Sequence, residues 1–216
     1  MTSLMLARPW LDFDLGAPCR VLSWSLNRPG FVTADRIVWR EVRNADLPPE
    51  LDVGTWFAQA LSARGCAEAV GFLTSRDIRC FHHHRHSTEG ITAEAVATVG
   101  LSNAERIGTR LDRTGTDWGT INVALKLDAA LSDAALIEAM SIAVEARTAA
   151  VMETGHSLPT GIATGTGTDC VAVAAAPGDT AFAGLHTAIG EAAGRAVYSA
   201  VLAGANEWMQ TVRRDG

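Results

Sequence analysis

Ile162-Ala163-Thr164-Gly165-Thr166-Gly167-Thr168-Asp169 runs straight into Cys170-Val171-Ala172-Val173-Ala174-Ala175, and this junction decides the fold. The second half is an apolar, β-leaning run that reads as a buried strand. In the first half, Gly165 and Gly167 free the backbone from Cβ clashes, so it can approach a ligand closely. Thr164, Thr166 and Thr168 set three hydroxyls beside one carboxylate, Asp169, at the mouth of that strand. A tight turn whose threonines and Asp satisfy local backbone groups is the alternative reading. The loop is no standard phosphate cradle, because no Lys follows the glycines and a strand follows where a dinucleotide fingerprint would open a helix.

Working outward, Trp10 to Asp14, Arg20 to Asn27 and Arg36 to Val42 are half-buried strand candidates. Leu47-Pro48-Pro49-Glu50 interrupts regular structure and leads to a helix from about Val53 to Arg64, stopped at Gly65. Ala69 to Ser75 and Ala93 to Val99 read as buried strands separated by a polar, histidine-rich segment, Phe81 to Glu89. His82-His83-His84-Arg85-His86 invites a metal reading. No carboxylate or fourth ligand stands at a recognisable spacing, so solvated loop histidines and no metal site are expected.

Gly100-Leu101-Ser102-Asn103-Ala104 follows a strand and opens a short helix through Gly108 in this reading, in the manner of a G-x-S-x-G nucleophile elbow with its last Gly replaced. The order Ser102, Asp169, His186 matches a triad, while a helix cap is the plain alternative for Ser102. Trp118 to Asp128 is a strand in which Asn122 needs hydrogen-bond partners from the protein or a ligand. Ser132 or Asp133 caps a helix to about Glu153, within which Glu145 is either paired in an apolar run or exposed on the one polar stripe. A last helix, about Leu185 to Gln210, carries His186 in its first turn, and Gly190 and Gly194 inside it imply very close packing. The tetrapeptide Thr-Gly-Thr-Asp occurs at Thr114 to Asp117 and again at Thr166 to Asp169 without alignable flanks, so it is no repeat.

The 216 residues hold one domain, 1–216, with no linker. A content of 48% hydrophobic and 19% charged residues places the chain with packed globular proteins, and a net charge of −6 excludes electrostatically driven nucleic-acid binding. Cys19, Cys66, Cys80 and Cys170 form no C-x-x-C pair, which fits reduced thiols in a cytoplasm. No segment has the pattern of a signal peptide or a bilayer span, so no membrane partner is expected.

Five motifs together, Gly100 to Ala104, Gly119-Thr120-Ile121-Asn122-Val123, Glu145-Ala146-Arg147-Thr148-Ala149, Ala163 to Asp169, and Ala183 to His186 with Gly190-Glu191, resemble the adenosylcobinamide amidohydrolase family. The resemblance extends from about Val21 to Ala200. Two departures stand out: Asn27-Arg28-Pro29-Gly30 replaces the family's frequent Asn-Gly-Gly, and Arg147 stands where Lys is common, keeping the charge with different donor geometry. The resemblance implies salvage of a vitamin B12 precursor, by hydrolysis of the amide that joins aminopropanol to the corrin ring. The cobalt-containing corrinoid would be substrate, with no tightly bound cofactor. Amide hydrolysis needs acid and base groups and donors for the developing oxyanion. Asp169, Glu145 and His186, with Ser102 as nucleophile, are the candidates for the first. Asn103, Asn122, Thr164, Gly165, Thr166, Gly167 and Thr168 are the candidates for substrate binding. A wide cleft suits so flat a substrate, and Trp10, Trp24, Trp39 and Trp56 could line it, though core packing is their commoner role. The expected architecture is a single-domain mixed α/β sheet with both long helices packed on its faces, or alternatively a four-layer αββα sandwich; homo-oligomerisation is left open.

Overall fold

The computed structural model describes residues 2–113 and 118–213. The second Thr-Gly-Thr-Asp sits in the loop before a strand as expected, whereas Thr114 to Asp117 lies outside the described residues. In chain order the elements are β1 (Ser3–Ala7), β2 (Trp10–Ser23), β3 (Gly30–Glu41), α1 (Val53–Ala63), β4 (Val70–Thr74), β5 (Phe81–Thr88), β6 (Ile91–Val99) and β7 (Ala104–Glu105). There follow β8 (Ile121–Leu131), α2 (Asp133–Glu153), β9 (Ser157–Leu158), β10 (Gly161–Ile162), β11 (Gly165–Thr166), β12 (Cys170–Pro177) and α3 (Ala188–Thr211). Each α-helix opens on a side-chain cap: Asp52 accepts from the Thr55 amide, Ser132 from Ala135 and Thr187 from Gly190.

Eight strands form one mixed sheet in the order β4-β3-β2-β12-β8-β6-β5, with β1 on the first half of β2. The pairs β3–β4 and β8–β12 are parallel, each joined by a connection that contains a helix, α1 and α2 respectively. The two strands expected around Cys19 are one long strand, bent by a register shift between Asp14 and Cys19 where Gly16 takes φ 79°. The bend lets β1 and then β12 share one edge of β2.

The sheet is rolled. Strands β4 and β8 stand four places apart, which in a flat sheet is roughly 19 Å at ~4.8 Å per strand. Yet the Asn122 amide of β8 donates to the Leu73 carbonyl of β4 at 2.7 Å. The concave face is therefore filled by the sheet itself, Phe13, Ile37, Trp39 and Phe72 meeting Val96, Ala124 and Ala172 in one cluster. The convex face takes all three helices. Phe57 and Leu61 of α1 cover Val38 at one end, while α2 and α3 cover Val123, Val171 and Ala97 at the other. The mixed α/β sheet with packed helices is as expected, but both long helices lie on the same face. In cross-section the layers run α, β, β, α, although continuous pairing makes the two β layers one sheet.

Two further local expectations change. The histidine segment is strand β5, an edge strand joined to β6 by a two-residue turn in which Glu89 (φ 48°) and Gly90 (φ 82°) are both left-handed. No helix follows Gly100: the chain turns and lays β7 against β11. Among the described residues no helix is long and apolar enough to cross a membrane.

Candidate functional site

Along the seam of the rolled sheet, Trp24 and Leu26 after β2, Val42 and Arg43 after β3, and the residues of β4 face the N-terminal ends of β8 and β12. There the Thr/Gly/Asp loop is organised by Asp169. Its Oδ1 accepts the Thr166 hydroxyl at 2.6 Å and the Ile121 amide at 3.0 Å. Its Oδ2 accepts the Thr166 amide at 2.9 Å and pairs with Arg147 of α2 at 3.2 Å. Two donors on each oxygen engage the carboxylate fully, and the side chain is only 6% exposed. Burial pushes its pKa above the usual carboxylate range, against the pull of Arg147, the Thr166 hydroxyl and the two amides. A Cβ on Gly165 would lie 2.6 Å from Oδ2, so the glycine is what lets the loop close on its own carboxylate.

The loop is tied to its surroundings through further hydroxyls. Thr168 donates to the Gly119 carbonyl at 2.9 Å and meets the Thr120 hydroxyl at 2.8 Å, while Thr164 accepts from the Ile107 amide at 2.8 Å. The Asp169 carbonyl accepts the Trp24 indole N–H at 2.8 Å. Asn103 accepts from the Gly119 amide at 3.0 Å, and a Cβ at Gly119 would come within 2.6 Å of the Ser102 nitrogen. Residues 100–103 and 118–120 thus interlock and fix the start of β8.

Against this loop lies a cavity of about 590 Å³. Thr120, Asn122, Thr168 and Cys170 provide polar floor groups, and Leu26, Leu47, Pro48 and Leu51 an apolar wall. Trp24 and Trp118 line it while remaining 45% and 60% exposed, two indoles held at the mouth. The Cys170 thiol is pushed up to about 12, by burial first and then by Asp169, so it is a protonated thiol at neutral pH. Val42, Arg43, Ser75 and Trp118 are shared with a second, polar cavity of about 430 Å³. Arg8 pairs with Glu41 there, and Arg79 with Asp77, which that guanidinium holds well below the usual carboxylate range. Ser102 lines the same annex.

Of the residues singled out from sequence, Asp169, Asn122 and Thr168 reach the main cavity, where Thr120, not singled out, joins them. Thr164, Gly165, Thr166 and Asn103 stand behind it as supports, and Gly167 is exposed. Glu145 is not brought to Asp169. It shares an exposed stripe with Ile137 and Ser141, accepts from Ser141 at 3.1 Å, and points about 200° round the helix from Arg147. His186 is exposed and precedes the Thr187 cap, outside the helix, so Ser102, Asp169 and His186 do not assemble. Of the histidines, His82 bonds Glu207 at 2.9 Å and His83 bonds Glu94 at 3.3 Å. Gly190 packs against the Gly184 backbone as its position implied; a Cβ at Gly194 would make only ordinary contact with Ile142 at 3.6 Å. Of the tryptophans named from sequence only Trp24 reaches the cavity: Trp39 is core, and Trp10 and Trp56 flank Arg40. Sequence reasoning missed Trp118 and Arg43 as wall residues. Trp118 directly before the Gly119 to Val123 motif was the available signal for the first.

A family model described as adenosylcobinamide amidohydrolase matches residues 3–213. No curated protein matches the chain.

Proposed function

We propose that this chain, which belongs to the adenosylcobinamide amidohydrolase family, cleaves the aminopropanol amide of adenosylcobinamide to give adenosylcobyric acid. One C–N bond breaks; water supplies the hydroxyl to the acyl carbon and a proton to the leaving amine. The observation that carries the reading is the main cavity: broad, mouthed by two exposed indoles and floored by Thr120, Asn122 and Thr168. A flat macrocycle rimmed with amides needs apolar faces beside hydrogen-bonding groups, and this lining supplies both. In this reading Asn122, Thr120 and Thr168 hold the substrate amides and polarise the scissile carbonyl. Asp169, through Arg147 and Thr166, fixes the loop that carries Thr168.

A second reading, a corrinoid carrier without turnover, is favoured by one observation: Asp169, the one carboxylate among the described lining residues of the main cavity, has every acceptor site engaged. Purified protein incubated with excess adenosylcobinamide separates the two. Many equivalents of adenosylcobyric acid and free aminopropanol, resolved by chromatography, support the hydrolase. Stoichiometric binding without product, in both metal-free and metal-supplemented buffer, supports the carrier.

A further inference from the structure

The annex beside the main cavity is unlike the Asp169 loop in having polar groups left over. Among the described residues the exposed Arg43 guanidinium makes no ion pair and the Ser102 hydroxyl makes no hydrogen bond. Arg43 lines both cavities at their junction, where Ser75 is anchored by donating to the Trp118 carbonyl at 2.9 Å. The substrate proposed above is similarly bipartite: a wide, largely apolar-faced ring, and a short hydroxylated amine at the end of one side chain, with the scissile amide between them. The larger cavity adds the apolar wall of Leu26, Leu47, Pro48 and Leu51 and a second indole, Trp24, for the ring.

Resting on that hydrolase reading, we propose that the annex is the amino-alcohol subsite: the short arm enters it, the scissile amide lies at the junction marked by Arg43 and Ser75, and Ser102 with Arg43 reads the arm's hydroxyl. Arg43 has only donors to offer, so it binds the hydroxyl oxygen, while Ser102 can take the hydroxyl proton or donate its own.

The test compares two substrates, the natural amide and the propylamide of the same corrinoid acid, which lacks only the hydroxyl. The parent protein should favour the natural amide by about tenfold or more in kcat/KM, because a group built to bond a hydroxyl is left unpaired by the analogue. In Ser102→Ala and Arg43→Gln that ratio should fall toward one. Since the ratio is taken within each variant, loss of folded protein cancels. A parent that cleaves both amides equally overturns the subsite alone. Equal loss on both substrates in Ser102→Ala, with the ratio preserved, overturns it in favour of a nucleophilic or structural serine. A parent that cleaves neither overturns the hydrolase reading and the subsite with it.

Discussion

The loop around Asp169 and the annex around Arg43 border one cavity, yet they are finished to different degrees. In the loop the carboxylate is closed by four donors from three parts of the chain. In the annex two ion pairs are complete but Arg43 and Ser102 are not. A buried polar group with all its partners is architecture, because any ligand contact would have to displace a bond already made. An accessible group without partners is available for a ligand. The largest effects on stability should therefore come from the loop, and those on substrate discrimination from the annex.

Asp169→Asn should show the largest effect. The amide retains one acceptor oxygen but places an NH2 against donors, and it leaves Arg147, only 13% exposed, without its counter-charge. Removing one partner of such a pair costs about 3–5 kcal/mol, or roughly 6–20 °C in Tm at this chain length. Measured by thermal denaturation, that loss with a raised KM would mark a bracing residue. An unchanged Tm with kcat lowered about 10²-fold or more would break the comparison and make Asp169 a proton-transfer group.

Next in size is Gly119→Ala. Its new methyl would meet the Ser102 amide nitrogen and the Gly100 carbonyl, both backbone atoms that cannot swing aside. Displacing this contact moves Trp118 and Thr120 together, so steady-state kinetics should show kcat/KM lowered by about tenfold or more. The double variant Trp24→Ala, Trp118→Ala should follow, raising KM roughly tenfold with little change in Tm, since both rings are half exposed. A KM unchanged by removing both indoles would sever the cavity from the substrate.

A third polar cluster, away from the cavity, sharpens the comparison. Glu207 of α3 accepts from Arg76 at 2.8 Å and bonds His82 of β5 at 2.9 Å. The Cys80 thiol first, then His82 and Arg76, lower its pKa. A depressed carboxylate stabilises the fold fully above its unfolded value of about 4.3, and the contribution is lost as pH falls through the folded value. The Tm gap between the parent and Glu207→Gln should thus be widest near neutrality and close below about pH 4. At this exposure it should amount to no more than about 1 kcal/mol.

Most of the long sheet strands and the three helices were legible because each repeats a local pattern over several residues, such as Cys170 to Ala175 or the capped run after Ser132, whereas β1 and the two-residue strands were not read. The rolling of the sheet was not, because it is carried by one bend near Gly16 and by contacts between β4 and β8, about 50 residues apart. Strand β5 was hidden because a run of histidines, three of them consecutive, read as loop composition, although its Glu89-Gly90 turn is a hairpin of ordinary length. Asp169 was found because its partners Thr166 and Gly165 are sequence neighbours. Its other partners, Arg147 and Ile121, lie 22 and 48 residues away and could be seen only in the folded chain. The helical phase that turns Glu145 outward was also readable, but the apolar run from Ile142 to Val151 obscured it.

The smallest effect should come from Glu145→Gln. Glu145 resembles Asp169 in being a carboxylate inside a conspicuous motif, two residues from the same Arg147. Its surroundings are the opposite: it stands on the exposed stripe of α2 and accepts a hydrogen bond from Ser141 a turn earlier. Gln keeps the length and an acceptor oxygen for that serine, leaves no buried charge behind and touches neither cavity. An exposed helix substitution of this kind stays within about 0.5 kcal/mol, so Tm should move by no more than roughly 2 °C and both kinetic constants should match the parent within twofold. The measurement is informative because Glu145 and Asp169 are both candidate carboxylates from sequence, with Asp169 the favoured one. A kcat lowered tenfold in Glu145→Gln with Tm unchanged would show that α2 turns its other face to substrate, and the separation of a closed loop from an open annex would no longer describe the site.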